Sequence, residues 1–258
     1  MRRLILVLAT MGAAVLLASG AALGITNGTP DTTDRYPYVG ALVDVPRRGA
    51  PEPYCTGTLI SNSPTEAIFL TAAHCYPENG DTSYVTFDEV PTSTSTLYSG
   101  TFHDDPNGND VAVVVFDQQV NDESGSPITP AQLPTEGQFN DAAKGSKFTA
   151  VGYGGQLAPK RPGGPLIVYN DQRQWAVSTL SSVTRTYLRL SQNKGSGGTC
   201  YGDSGGPNFL GEYPYNYDAN HVPTIASITI TGDAWCHTTN VTLRLDTAEV
   251  QDFLNDYV

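Results

Sequence analysis

Residues 198–207 read GTCYGDSGGP, and they set Ser204 between an aspartate and two glycines, four residues after Cys200. A hydroxyl on a turn-forming stretch is badly placed for packing and well placed to meet something outside the chain. It is a weak nucleophile until a neighbouring base takes its proton. Of the four histidines, His74 has the best setting for that base. It ends the apolar run AIFLTAAHC and directly precedes Cys75, so a strand would deliver it and a disulfide would pin it. An imidazole base in turn needs a carboxylate to fix its tautomer and stabilise its charged form. Asp110 stands at the mouth of the apolar run in GNDVAVVVF, where it would be partly desolvated, while Asp104 and Asp105 lie close by in a loop. Gly202 lets the backbone turn so that its own N–H and that of Ser204 aim at one point, which makes an oxyanion site. Gly205 and Gly206 are expected to clear room for a substrate to reach the hydroxyl. The chemistry these residues suit is attack on a carbonyl carbon. His103 reads as a surface loop residue, and His221 and His237 as surface or rim residues.

The elements that must position these groups read as β-strands. Short apolar or β-branched runs recur between turn signals, at 38–45, 67–73, 84–90, 111–117, 147–154, 224–231 and 241–246. Runs of this length are strand-like, and helical periodicity is absent until the end of the chain. There, Asp246 and Thr247 can cap a helix whose Val250, Phe253 and Leu254 share one face. The polar, turn-rich stretch 121–145 is the best candidate for a linker between two β halves. Further loops are expected between GYGGQLAPKRPGGP, at 152–165, and the serine stretch.

The chain opens MRRLILVLATMGAAVLLASGAALG, two arginines before an apolar run that ends in small residues. That pattern predicts a signal peptide over 1–24, a mature start at Ile25 and a secreted, extracellular protein. The formal charge of −12 becomes −14 once Arg2 and Arg3 are removed, which argues against nucleic acid and anionic membranes as partners. In an oxidising compartment the four cysteines are expected to pair. Three pairings exist, and Cys55–Cys75 with Cys200–Cys236 closes the shortest loops. No C-x-x-C or paired-histidine spacing suggests a metal, and no cofactor is expected. Asn27 and Asn240 open glycosylation triplets that matter only in a eukaryotic host.

LTAAHC, NDVAVV and GDSGGP, in that order, resemble the chymotrypsin/trypsin-like family of secreted serine proteases. ITNG at 25 is similar to that family's IVGG, and VGYG at 151 to its GWG. The resemblance implies two six-stranded antiparallel β-barrels with a C-terminal helix, an N-terminal barrel over about 25–135, a second over about 136–245 and the helix over about 246–258. It makes His74 the general base, Asp110 its orienter, Ser204 the nucleophile, and Gly202 and Ser204 the oxyanion donors. It implies an ion pair between the new amine of Ile25 and Asp203, so that signal-peptide removal would itself activate the enzyme. The same cysteine pairing follows, with Cys55–Cys75 bracing the histidine and Cys200–Cys236 tying the pocket walls.

The family also implies where specificity sits. Gly198, six residues before the nucleophile, falls at the base of the first pocket, where trypsin-like members carry an aspartate. With Gly197 and Thr199 it leaves a neutral floor; Thr231 and Gly232 fall on one wall and Asn240 on another. Neutral aromatic or apolar side chains are therefore expected before the scissile bond rather than basic ones, although Asp233 stands close enough to attract a base. Implied partners are peptide or protein substrates and protein inhibitors, with the chain a monomer. A serine esterase and a catalytically silent binding protein are the alternative readings.

Overall fold

The computed structural model describes residues 25–78, 80–157, 166–193, 196–212 and 222–258. The expected signal peptide and His221 lie outside them. Fifteen strands and one helix are formed among the described residues. The first half supplies β1 (Thr29–Pro30), β2 (Val39–Asp44), β3 (Glu52–Asn62), β4 (Ala67–Thr71), β5 (Thr82–Thr86), β6 (Tyr98–Asp104) and β7 (Ala112–Phe116). The second supplies β8 (Lys147–Gly152), β9 (Gln156–Leu157), β10 (Ile167–Val168), β11 (Gln174–Val183), β12 (Tyr187–Ser191), β13 (Pro207–Leu210), β14 (Ile225–Gly232) and β15 (Thr239–Arg244), followed by α1 (Ala248–Leu254).

Strands β2-β3-β4-β7-β6-β5 close into an antiparallel barrel through the pairing of β2 with β5. Strands β8-β11-β12-β15-β14-β13 close a second through β13 and β8, with β1 added at the edge of β11. The expected pair of six-stranded barrels is formed. Closure removes the free edges that six-stranded sheets would otherwise expose. Strand β4 is buried along its whole length, as the unbroken run AIFLT requires. It pairs with β7 from Ala67↔Phe116 to Thr71↔Ala112, which sets the ends that lead to His74 and Asp110 side by side.

Strands β11 and β12 occupy part of the region expected to hold only loops. The alternation of β11 is regular in space, but its inward face is Gln174, Ala176, Ser178 and Leu180. Two of those four are polar, so the period-2 signal is invisible to a hydrophobicity reading. His103, expected in a loop, lies on β6 with its ring 5.8 Å from that of Tyr257.

Two devices join the halves. The connection between β7 and β8 is pinned to the first barrel, where Asn62 Nδ2 donates to the carbonyls of Val120 and Ile128, each at 2.8 Å. The fully buried Arg173 donates from Nε to Asp31 at 2.9 Å and from Nη1 to the carbonyls of Val39 and Phe87, and it also pairs with Asp34. Neighbouring acids hold its guanidinium charged against the burial that opposes it. At the far end, Thr247 caps α1 by accepting the N–H of Val250, and Val250, Phe253 and Leu254 face the core as their spacing predicts.

Candidate active site

His74 lies in a single 3-10 turn, Ala73–Cys75, directly after β4. Its Nδ1 meets Asp110 Oδ2 at 2.8 Å, and its backbone N–H donates to Asp110 Oδ1 at 3.0 Å. Asp110 is therefore fixed by both the ring and the main chain of one residue. Burial alone would raise its pKa, but the hydrogen bonds and charge of His74 outweigh burial and hold it below the ordinary carboxylate value. The nearby acids do other work. Asp105 is buried and accepts the backbone N–H of Asn107 at 2.9 Å and the side-chain amide of Asn109, which shapes the turn leading into Asp110. Asp104 ends β6 and faces solvent.

Ser204 is carried to this pair by the turn between Cys200 and β13. Gly202 and Gly205 have φ of +95° and +77°, a region that favours glycine. The Ser204 carbonyl accepts the N–H of Thr56 at 2.8 Å and lies 3.6 Å from Cys75 Sγ, so the nucleophile turn rests on the histidine turn. Thr56 Oγ1 also donates to the carbonyl of Gly202 at 2.9 Å. Among the described residues, the amides of Gly202 and Ser204 donate to no protein acceptor and are left for an incoming oxygen. His74 and Ser204 border one cavity of about 320 Å³.

The two glycines after Ser204 serve a different purpose from the one expected. A Cβ at Gly205 would overlap Thr71 Oγ1 and press on the Thr56 carbonyl, and one at Gly206 would crowd the Asp203 and Val151 carbonyls. They let the turn seat against the first barrel, so the space they free is already filled by protein.

Asp203 is fully buried and accepts the N–H of Cys200 at 2.7 Å and of Gly154 at 2.8 Å. Burial pushes its carboxyl from 3.8 up to about 7, and the two amides only partly offset this. Among the described residues no cation pairs with it. Glycines at 152 and 154 make its chamber, since a Cβ at either would strike the carboxylate. Ile25 is fully buried beside Ala150 and Ala176, and the next residue, Thr26, bridges to Gly198. The segment that would release an amine is thus docked on the second barrel, its Ile25 nitrogen still an amide to residue 24 in the full chain.

Of the residues implied for the specificity pocket, Thr199, Thr231 and Gly232 line the cavity. Asn240 does not. It points into the barrel, where Nδ2 donates to Asn208 Oδ1 at 3.1 Å and to Thr229 Oγ1 at 3.4 Å. Gly198 stands behind the lining next to Gln192. Asp233 lines the rim, yet its carboxylate accepts the N–H groups of Thr238 at 2.7 Å and Thr239 at 2.9 Å and pairs with His237 Nδ1 at 3.0 Å. Burial opposes its charge, but these donors outweigh that and hold its carboxyl far below the ordinary range. Tyr201, Thr229 and Ile230, which also line the cavity, and Thr56 beneath the turn are not evident from the sequence. Only strand register identifies them: Gly205 N–H bonds the Thr229 carbonyl, which places that part of β14 against the nucleophile turn.

Both disulfides, Cys55–Cys75 and Cys200–Cys236, are formed. The sulfurs of the first lie with the His74 ring within 4.8 Å, but as a disulfide they offer no thiolate to a metal.

Among the solved structures that share this fold are human heparin binding protein and a mutant of it, described as [G175Q]HBP (CAP37). Each matches at 16% identity with a TM-score of 0.63, covering 91% of this chain and 96% of that one. A comparison with curated protein sequences finds no match. The trypsin family profile matches residues 25–240, which contain all the groups described above, and the chain belongs to that family.

Proposed function

We propose that the chain is a secreted serine endopeptidase that hydrolyses peptide bonds through an acyl-enzyme. The observation that carries this is the grip of Asp110 on His74 beside Ser204, with two unbonded amides at the same turn. Held by Asp110 at Nδ1, the ring has its Nε2 left to act as base. It takes the Ser204 proton as Oγ attacks the carbonyl carbon, and the amides of Gly202 and Ser204 receive the oxyanion. The proton then goes to the leaving amine, and water releases the acyl group by the same route. Removing one such oxyanion donor typically costs about 10²–10³ in rate.

Signal-peptide removal at Ile25 would free an amine for Asp203, whose buried carboxylate meets no cation among the described residues. The N-terminal half about 25–135 and the C-terminal half about 136–245 act as the two walls of the cleft. Substrates are peptides or proteins carrying a neutral side chain before the scissile bond. Thr199 offers no charge to a lysine or arginine, and Asp233 has its charge engaged by its own loop. The enzyme is read as a monomer without a cofactor, and protein inhibitors would enter as substrates do. A serine esterase uses the same apparatus, and matched esters and amides separate it from a peptidase. A silent binding protein is the third reading, since one structural relative is named for heparin; a net charge of −12 opposes a polyanion here.

The deciding experiment is intact mass of the exported protein after a serine-directed fluorophosphonate, followed by peptide mapping. A single adduct on Ser204 in a chain beginning at Ile25 supports the peptidase. A folded chain with that start and no adduct removes the catalytic reading. Full activity in a chain with any other start removes the activation step.

A further inference from the structure

Directly after β8 the chain reads Tyr-Gly-Gly, residues 153–155, and its three consecutive backbone N–H groups all serve the nucleophile turn. Tyr153 N–H donates to Thr56 Oγ1 at 3.2 Å, and that hydroxyl holds the Gly202 carbonyl at 2.9 Å. Gly154 N–H donates to the Asp203 carboxylate at 2.8 Å. Gly155 N–H donates to the Tyr201 carbonyl at 2.8 Å. Residues 201, 202 and 203 are thus each held by this segment, directly or through one hydroxyl, and Ser204 comes next. The approach is close: a Cβ at Gly202 would lie 2.9 Å from Gly154 Cα.

Gly152, Gly154 and Gly155 bring no side chain to this segment and leave its backbone free to turn. Tyr153 therefore carries the one side chain that can anchor residues 152–155. It is 1% exposed and reaches across to the first barrel. Its hydroxyl donates to the Asp88 carbonyl at 2.8 Å, with the Val39 carbonyl 3.4 Å away, and accepts from Arg173 Nη1 at 3.4 Å. Burial pushes the phenol up to about 12, against the pull of the Arg173 guanidinium, so it remains a donor well above neutral pH.

We propose that Tyr153 is a positioning residue for catalysis: its hydroxyl, fixed on the first barrel, sets the place of the three amides that hold the nucleophile turn, and so the aim of the Gly202 and Ser204 N–H groups. This deepens the peptidase reading and rests on it. The first barrel supplies His74 and Asp110, whereas Ser204 belongs to the second. A tie between the barrels at this point registers the base against both the nucleophile and its anion site. The oxyanion exists only after attack, so donors that are out of place slow turnover and leave substrate affinity alone.

The test separates binding from chemistry. Tyr153→Phe removes the hydroxyl and keeps the ring. In the exported protein it should lower kcat by at least about tenfold with KM unchanged, since a misplacement of about 1 Å can cost about 10²-fold. Affinity for a peptidyl boronic acid, which becomes tetrahedral on Ser204, should fall by the same factor as kcat/KM. Binding of the uncleaved parent peptide should stay the same when Tyr153→Phe is added to Ser204→Ala. Tyr98→Phe is the control: Tyr98, on β6, is also buried, and its hydroxyl exchanges hydrogen bonds with the main chain of Asn121, both at 3.0 Å. It should lower the melting temperature and leave kcat unchanged. Tyr153→Met, which also lacks a hydroxyl, serves if the phenylalanine variant does not fold. Unchanged kcat in a folded Tyr153 variant, a rise in KM that accounts for the loss, weaker binding of the uncleaved peptide, an equal loss of kcat in Tyr98→Phe, or failure of both Tyr153 variants to fold would each overturn the proposal. Failure of the peptidase reading shows separately, as absent turnover by the unsubstituted protein, and would overturn this proposal with it.

Discussion

At the residue scale the site depends on a few contacts whose removal has predictable consequences. Replacing Ser204 with Ala should lower kcat by about 10⁴-fold or more, measured on whichever peptide is cut fastest. Asp110→Asn should cost about 10⁴-fold, because the amide would favour the wrong histidine tautomer while keeping the shape of the contact. Asp203 gives a prediction about stability. Its folded-state value of about 7 lies above the ordinary 3.8, so the folded chain keeps a proton that the unfolded chain has released. Ionising it therefore destabilises the fold, with no penalty below about pH 4 and the full penalty above about pH 7. The full-length chain should lose melting temperature as pH rises through that window, and Asp203→Asn should flatten the profile. A chain starting at Ile25 should show a weaker slope, because its amine pairs with the ionised form. A full-length chain with no slope would contradict the isolation of this carboxylate.

At the element scale, the decisive contact is between the nucleophile turn and β3. Thr56 Oγ1 donates to the Gly202 carbonyl and accepts the Tyr153 N–H at 3.2 Å, while the Thr56 backbone N–H holds Ser204. Thr56→Val keeps the shape and deletes both hydroxyl bonds. It should cost about 1–2 kcal/mol in denaturant unfolding. Turnover should fall by at least about tenfold with little change in KM, because the turn that carries the proposed oxyanion donors loses its bond at the Gly202 carbonyl. A proportional rise in KM instead would place Thr56 in substrate binding. The asymmetry of the barrels also belongs to this scale. The first barrel reads easily from sequence because β4 and β7 are unbroken apolar runs. The second places Gln174, Ser178, Asn208, Ser227, Asn240 and Thr242 in its buried wall, and β11 and β12 are consequently hard to recognise.

At the scale of the whole molecule, the cleft exists only while the two barrels stay together, and Arg173 is a main tie between them. It bonds the N-terminal segment through Asp31 and the first barrel through Val39 and Phe87. Arg173→Met would leave Asp31 buried without its cation, and should destabilise the protein by about 3–5 kcal/mol in equilibrium unfolding. Replacing Asp31 as well, with Asn, should recover part of that loss, since the uncompensated charge is then gone. Failure of the second change to help would mean that packing rather than charge is what Arg173 supplies. None of the helices among the described residues is long and apolar enough to cross a membrane.

What the sequence alone determined was the set of groups proposed to react. GDSGGP, LTAAHC and the aspartate before VAVVVF are short, local signals, and the cysteines had few ways to pair. The apolar runs around them were enough to call for a β protein with a terminal helix. Tertiary structure alone decided which neighbours those groups have. Only strand register turns Asn240 inward to Asn208, brings Gln192 against Gly198 and engages Asp233 with its own loop. Only the contact between barrels explains Gly205 and Gly206, whose missing side chains make room for Thr71 and Thr56. The physical reason is range. A nucleophile and the glycines that turn its backbone must be adjacent in the chain, whereas a pocket wall is assembled from strands far apart in sequence. Its chemistry is therefore written in no single segment.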